Sequence, residues 1–107
     1  AMIQDAFARA YKAGVKICFG TDAGVFPHGY NAKEFLYMTE AGMPIMEALN
    51  AATITNAKVL GMENELGAIE AGKLADIIAI DEDPQKNVLS LMNVTFVMKD
   101  GKVYKSK

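Results

Sequence analysis

The feature of this sequence that most constrains its fold is a short apolar run that ends in one carboxylate between small residues. The run covers residues 15–19, and the sequence Gly-Thr-Asp-Ala-Gly follows it at 20–24. Val15 and Ile17 are β-branched, which favours a strand over the run. In α/β folds, functional side chains stand where strands end at their carboxyl edge. The pattern therefore predicts a buried strand that presents Asp22 as a metal ligand, as a base, or as the cap of the next turn.

Helical spacing dominates the chain on both sides of this strand. Apolar residues three and four apart predict a helix over 3–13, which Gly14 ends. The same spacing predicts helices within 31–61. After Glu63 the pattern changes to short extended pieces, and Asp-Gly at 100–101 predicts a hairpin at 99–102. The chain is expected to divide into 1–62 and 63–107, as pieces of two architectures rather than one complete domain.

Composition limits the classes of function. The 107 residues are 51% hydrophobic and 22% charged, with a net charge of -2. Because no cluster of Lys and Arg occurs, nucleic acids and membranes are not expected as partners. Cys18 is the only cysteine, and it is expected as a small apolar residue inside the strand. A reducing, cytoplasmic compartment is the expected location, with export left open if the true N-terminus is missing.

His28 is the only histidine, and it lies in the sequence Phe-Pro-His-Gly at 26–29. A histidine six residues after Asp22 suits metal binding, proton transfer or a substrate carboxylate. It suits a solvent-facing loop equally well, and the spacing leaves both interpretations open. A single Asp and a single His rarely make a metal site, so further partners of Asp22 are expected elsewhere.

Three segments, taken in order, resemble the amidohydrolase superfamily of metal-dependent hydrolases. The first covers residues 20–29. The second is Glu-Ala-Leu-Asn-Ala-Ala-Thr at 47–53, followed by Asn-Ala at 56–57 and Leu-Gly at 60–61, and the third is Leu-Gly-Ala-Ile-Glu-Ala-Gly-Lys-Leu-Ala-Asp-Ile-Ile at 66–78. The resemblance covers nearly the whole chain and is strongest to the dipeptidase and imidazolonepropionase-related branch. One departure is Pro44-Ile45, where the family more often has Thr or Ser before Pro; it weakens a helix cap by roughly 1 kcal/mol.

The resemblance implies an α/β fold: the C-terminal fragment of a (β/α)8 barrel with the C-terminal strands of its accompanying β-sandwich. It maps residues 15–19 onto the last barrel strand, 31–62 onto the trailing helices and 66–104 onto the sandwich. The rest of the barrel is then the natural partner of this chain. Without it, the first strand would have unpaired edges, which predicts self-association of the fragment.

The resemblance also implies a function, the cleavage of a C–N bond in an amide, peptide or cyclic amide. Asp22 would be both a metal ligand and the catalytic proton shuttle, whereas His28 matches the substrate-binding loop. The expected cofactor is one or two divalent metal ions, with zinc as the expected metal and most ligands outside this chain. Since a barrel needs ~250 residues, the isolated chain is expected to be inert. The alternative is a complete small α/β binding or interaction module in which Asp22 caps a turn.

Overall fold

A computed structural model describes residues 2–22 and 29–106 of the chain. Helices occupy the first part of the sequence and strands the last. The elements are α1 (Met2–Lys12), a 3-10 turn (Tyr30–Ala32), α2 (Lys33–Glu40), α3 (Ile45–Ala52), α4 (Ile54–Val59), β1 (Ile77–Ile80), a second 3-10 turn (Val88–Met92), β2 (Val94–Lys99) and β3 (Lys102–Ser106). No helix in these two ranges has the length and apolar character that crossing a bilayer requires.

The helices and the segment 15–19 share one small hydrophobic core. Its buried members are Met38, Met43, Ala48 and Ala51. Two of the four are alanines on α3, which lets neighbouring elements approach that helix closely. Half-buried apolar side chains surround these four residues, among them Phe7, Tyr11, Ile17, Phe19, Phe35 and Ile45. The core therefore joins α1, α2 and α3 to the segment that leads to Asp22.

The structure does not show the strand expected at 15–19. This segment is not part of the single sheet formed by the described residues. From Lys16 to Phe19 its side chains nevertheless alternate, because Ile17 and Phe19 pack towards the helices whereas Lys16 and Cys18 are exposed. Val15 does not follow this alternation, since it is 55% exposed. A strand needs a hydrogen-bonded neighbour, and the sheet is built from a different part of the chain. The segment thus keeps the two-residue period of a strand without a partner, and Cys18 is exposed rather than buried.

The last third of the chain forms a three-stranded antiparallel sheet in the order β1-β2-β3. Lys99 pairs with Lys102 across the hairpin. Between them, Asp100 and Gly101 have φ angles of 50° and 79°. Two consecutive positive φ angles are those of a type I′ turn, which matches the twist of a hairpin. Asp76 steadies this turn, because its Oδ1 accepts a hydrogen bond from the Asp100 N–H at 2.8 Å.

A second contact region connects the strand-rich part to the helices. The 3-10 turn Val88–Met92 packs against α2 and against the turn Tyr30–Ala32. Leu91 in this turn is buried. Asn87 caps it, since its side-chain oxygen accepts a hydrogen bond from the Leu89 N–H. This cap stabilises the turn through which the strand-rich part of the chain contacts α2.

Candidate functional site

Asp22 is exposed, and its backbone has a φ of 53°. Aspartate tolerates this left-handed region better than most residues, although it remains a sparsely populated conformation. The other non-glycine residue with positive φ in the described ranges is Asp100, where the hairpin turn accounts for it. Unusual backbone angles of this kind are found preferentially at functional sites. The carboxylate of Asp22 is thus presented to solvent by a constrained backbone.

Residues 23–28, which include His28, lie outside the described residues. The place of His28 in the substrate-binding loop, which the resemblance implies, therefore stays a prediction. The described chain resumes at Gly29, which has a φ of 95° and leads directly into the turn Tyr30–Ala32.

Phe19 anchors the segment that carries Asp22. Its N–H donates a hydrogen bond to the carbonyl oxygen of Ala51 on α3 at 3.3 Å. Its own carbonyl oxygen accepts a hydrogen bond from the Nδ2 of Asn56 on α4 at 2.9 Å. Its ring stacks on Phe35 of α2, with ring centroids 4.5 Å apart and planes 27° from parallel. Three helices therefore hold one residue that precedes Asp22 by three positions.

Asn56 is a residue whose contact the sequence pattern does not reveal. Asparagine is a poor helix former, so its position in the short helix α4 is a local signal that it has another use, and Asn-Ala at 56–57 also belongs to the resemblance stated above, although neither signal names its partner. Its contact with Phe19 joins residues 37 positions apart. Such a pairing depends on the tertiary fold rather than on the local sequence.

The side chains of the described residues decide whether this part of the chain can hold a metal ion. These residues hold no group of three or more His, Cys, Asp and Glu side chains that could surround one ion. Asp22 itself suits a divalent ion, because an exposed carboxylate supplies one hard oxygen ligand. Among the described residues, Asp22 therefore fits a divalent ion as a single ligand, and a complete metal site would need further ligands from beyond the described ranges.

A second polar contact links α1 to α3. The Tyr11 hydroxyl donates a hydrogen bond to Oε2 of Glu47. This hydrogen bond, together with desolvation and the negative charge of Glu47, raises the pKa of Tyr11 above its ordinary value. The Tyr11 ring belongs to the edge of the helical core, whereas the hydroxyl is exposed. The pair is part of helix packing and makes no recorded contact with Asp22.

Comparisons with known proteins place this arrangement in a family. Residues 4–104 match the model of the amidohydrolase family. A 5-methylthioadenosine/S-adenosylhomocysteine deaminase from Thermoanaerobacter pseudethanolicus is 33% identical over 99 residues, which cover 78% of this chain and 23% of the deaminase. An imidazolonepropionase from Bdellovibrio bacteriovorus is 38% identical over 76 residues, which cover 68% of this chain and 18% of that enzyme.

A solved structure extends the likeness to three dimensions. The crystal structure of a Xaa-Pro dipeptidase with methionine bound in its active site superposes with a TM-score of 0.94 and 54% sequence identity. The match covers 97% of this chain and 26% of the dipeptidase chain. This chain thus spans roughly a quarter or less of the length of the relatives that it matches. The family is built on a (β/α)8 barrel, and the described residues form a small α/β piece with a three-stranded sheet. Because the family model matches nearly its whole length, the chain belongs to the amidohydrolase family.

Proposed function

We propose that this chain is part of a metal-dependent hydrolase that cleaves a C–N bond, and that Asp22 is its catalytic carboxylate. Membership of the amidohydrolase family supports hydrolysis. The names of the relatives, a deaminase, an imidazolonepropionase and a dipeptidase, support a C–N bond as the target. The observation that carries the role of Asp22 is its exposed carboxylate with a φ of 53°, three residues beyond the anchored Phe19.

The proposed substrate is a dipeptide or a similar small amide. Identity to the Xaa-Pro dipeptidase is 54% over nearly the whole chain, compared with 33% for the deaminase. In barrels of this kind, specificity depends on loops of several strands, and this chain supplies only part of them. Residues 26–29, with His28, are the proposed contribution of this chain to substrate binding.

The proposed chemistry requires one proton to move twice. A divalent metal, proposed as zinc and held in part by Asp22, would act as a Lewis acid and lower the pKa of water towards ~7. The Asp22 carboxylate is one of its ligands and also accepts the proton that the attacking water loses. When the C–N bond breaks, Asp22 returns this proton to the leaving nitrogen, so that a free acid and a free amine are released. An ionised carboxylate with two oxygens can serve as a ligand and as a hydrogen-bond acceptor at once.

The rest of the barrel is the proposed partner of this chain, and the isolated chain is proposed to be inert. A single carboxylate cannot surround a metal ion, and the described residues add no cluster of further ligands. The face of the segment 15–19 that carries Lys16 and Cys18 is exposed, as expected of a strand whose neighbours belong to the rest of the enzyme.

The test is an Asp22→Asn substitution in the full-length enzyme that carries this chain. Hydrolysis of Xaa-Pro dipeptides is measured by the release of free proline. The expected kcat is lower by about 100-fold or more, because the amide cannot accept a proton at neutral pH. Asp81→Asn is the matched control, since Asp81 is an exposed aspartate just beyond β1. Full turnover by Asp22→Asn would overturn the proposal.

A further inference from the structure

We propose that Asn56 is a positioning residue for Asp22, an inference that rests on the function proposed above. Asn56 Nδ2 donates to the Phe19 carbonyl oxygen at 2.9 Å. That oxygen belongs to the peptide unit that joins Phe19 to Gly20. Because a peptide unit is planar, a hydrogen bond to its oxygen fixes the direction in which the chain leaves Phe19. This direction decides where Asp22 lies, three residues further on.

The chain between this hydrogen bond and Asp22 has little else to hold it. Gly20 is exposed, and a β-carbon at this position would meet no atom within 4 Å among the described residues. Glycine also has the widest choice of backbone angles. Within the described ranges, the bond from Asn56 is the last recorded hydrogen bond before Asp22. Its loss would therefore release Gly20 and Thr21 together with the carboxylate that follows them.

Asn56 can fix Phe19 because α4 is itself held firmly. The neighbouring residue Ala57 is only 1% exposed. Gly67 packs so closely on α4 that a β-carbon there would lie 2.8 Å from the Ala57 β-carbon and 3.2 Å from the Thr53 carbonyl oxygen. The Met62 N–H also donates to the carbonyl oxygen of Ala57 at 2.9 Å. The segment that follows α4 thus packs closely against this helix beside Asn56. Because α4 is held in place, the hydrogen bond from Asn56 restrains Phe19.

The amide group, rather than a side chain of similar size, is what the contact requires. The Phe19 carbonyl oxygen is an acceptor, and Asn56 meets it with an N–H donor. An Asp at position 56 has nearly the same shape, but at neutral pH it places a negative acceptor against another acceptor. An Ala leaves the half-buried carbonyl oxygen without its side-chain partner. Both substitutions should therefore displace the same backbone for different reasons.

The first experiment compares Asn56→Ala and Asn56→Asp with the unaltered full-length enzyme. Misplacement of a catalytic group by about 1 Å costs on the order of 100-fold, so kcat is expected to fall by roughly 10- to 100-fold. KM should stay within about twofold, since the loss concerns the transition state and not substrate binding. Hydrogen exchange at the Phe19 amide should become faster in Asn56→Ala. This readout does not depend on activity.

Thr39→Ala is the matched control. The Thr39 hydroxyl donates a half-buried hydrogen bond to the Leu36 carbonyl oxygen at 2.8 Å within α2. Its removal costs a half-buried side-chain-to-backbone hydrogen bond without touching Phe19, so kcat and exchange at Phe19 should stay unchanged. A purely structural role of Asn56 would give the same pattern as Thr39→Ala. That result, or failure of both Asn56 variants to fold, would overturn the inference.

A double-mutant cycle separates this inference from the proposed function. If Asn56 acts through Asp22, adding Asn56→Ala to Asp22→Asn should cause no further loss of kcat. Losses that multiply would overturn the positioning role and leave the catalytic role of Asp22 standing. Full turnover by Asp22→Asn alone would overturn the proposed function. The positioning role of Asn56 would then fall as well, because it presumes a catalytic Asp22.

Discussion

Gly67 lies so close to Ala57 that a β-carbon built on it would stand 2.8 Å from the Ala57 β-carbon, nearer than such carbons pack in proteins. Gly67 also has a φ of 100°. A Gly67→Ala substitution therefore meets a steric overlap and a strained backbone together. The left-handed backbone costs ~1–2 kcal/mol for a residue with a side chain, and overpacking costs ~1–3 kcal/mol more. Urea unfolding is expected to show the sum of both losses.

Gly72→Ala is the control that separates the two causes. Gly72 has a φ of 92°, but a β-carbon there would meet no atom within 4 Å among the described residues. This variant should show only the backbone loss of ~1–2 kcal/mol. Equal losses at positions 67 and 72 would mean that contact between Gly67 and α4 contributes nothing.

Ala48 gives a second test of close packing, this time between helices. It is 0% exposed and belongs to the helical core. An Ala48→Leu substitution adds three carbon atoms at a fully buried position, and overpacking of a core typically costs ~1–3 kcal/mol. Ala6→Leu makes the same change at an exposed position of α1 and is expected to alter the free energy of unfolding by less than ~0.5 kcal/mol. A stabilising Ala48→Leu would contradict the packing of α3 described above.

The raised pKa of Tyr11 predicts how the free energy of unfolding changes at alkaline pH. Its hydrogen bond to Glu47 raises its pKa in the folded chain, whereas the unfolded chain keeps the ordinary value of about 10. Between these two values the folded state binds more protons than the unfolded state, so the free energy of unfolding falls as the pH rises. Below pH ~10 the contribution of this pair is fully present and constant.

The measurement for Tyr11 is urea unfolding at several pH values from 8 to 11.5. Tyr11→Phe should remove the part of the alkaline fall that this hydroxyl causes, and Glu47→Gln should reduce it. Tyr104→Phe removes an exposed tyrosine from β3 and should leave that part in place. An identical alkaline fall in Tyr11→Phe and the unaltered chain would show that the pair does not form.

Local sequence signals predict the local structure well. The apolar spacing at 3–13 corresponds to the helix Met2–Lys12, and Asp-Gly at 100–101 corresponds to the turn between β2 and β3. Both depend on neighbours within a few residues. The resemblance to amidohydrolases, based on three ordered segments, agrees with the family match over residues 4–104.

The segment 15–19 shows why contacts between distant parts of the chain could not be predicted from local sequence. Its apolar, β-branched residues predict a strand, but a strand exists only where a second one pairs with it, and the sequence of the segment does not specify that partner. Cys18 is exposed for the same reason. The hydrogen bond between Asn56 and Phe19 joins residues 37 positions apart, so no local sequence pattern predicts it. The sequence shows that an aspartate follows the apolar run at position 22. The contacts that hold the backbone before Asp22 come from three separate helices, and no local pattern specifies them.

Cys18 provides a test of the proposed partner of this chain. The thiol is exposed in the structure, on the face of the segment 15–19 that points away from the helices. If the rest of a barrel pairs with this segment, Cys18 becomes covered in the full-length enzyme. Alkylation by iodoacetamide, followed by mass spectrometry of the peptide that contains Cys18, should then be at least about tenfold slower in the full-length enzyme than in the isolated chain, since reaction needs access to the thiol. Both proteins should react at the same rate in guanidinium chloride, which controls for the reagent. Equal rates under native conditions would mean that the rest of the enzyme leaves this face uncovered, which would contradict the proposed partner of this chain.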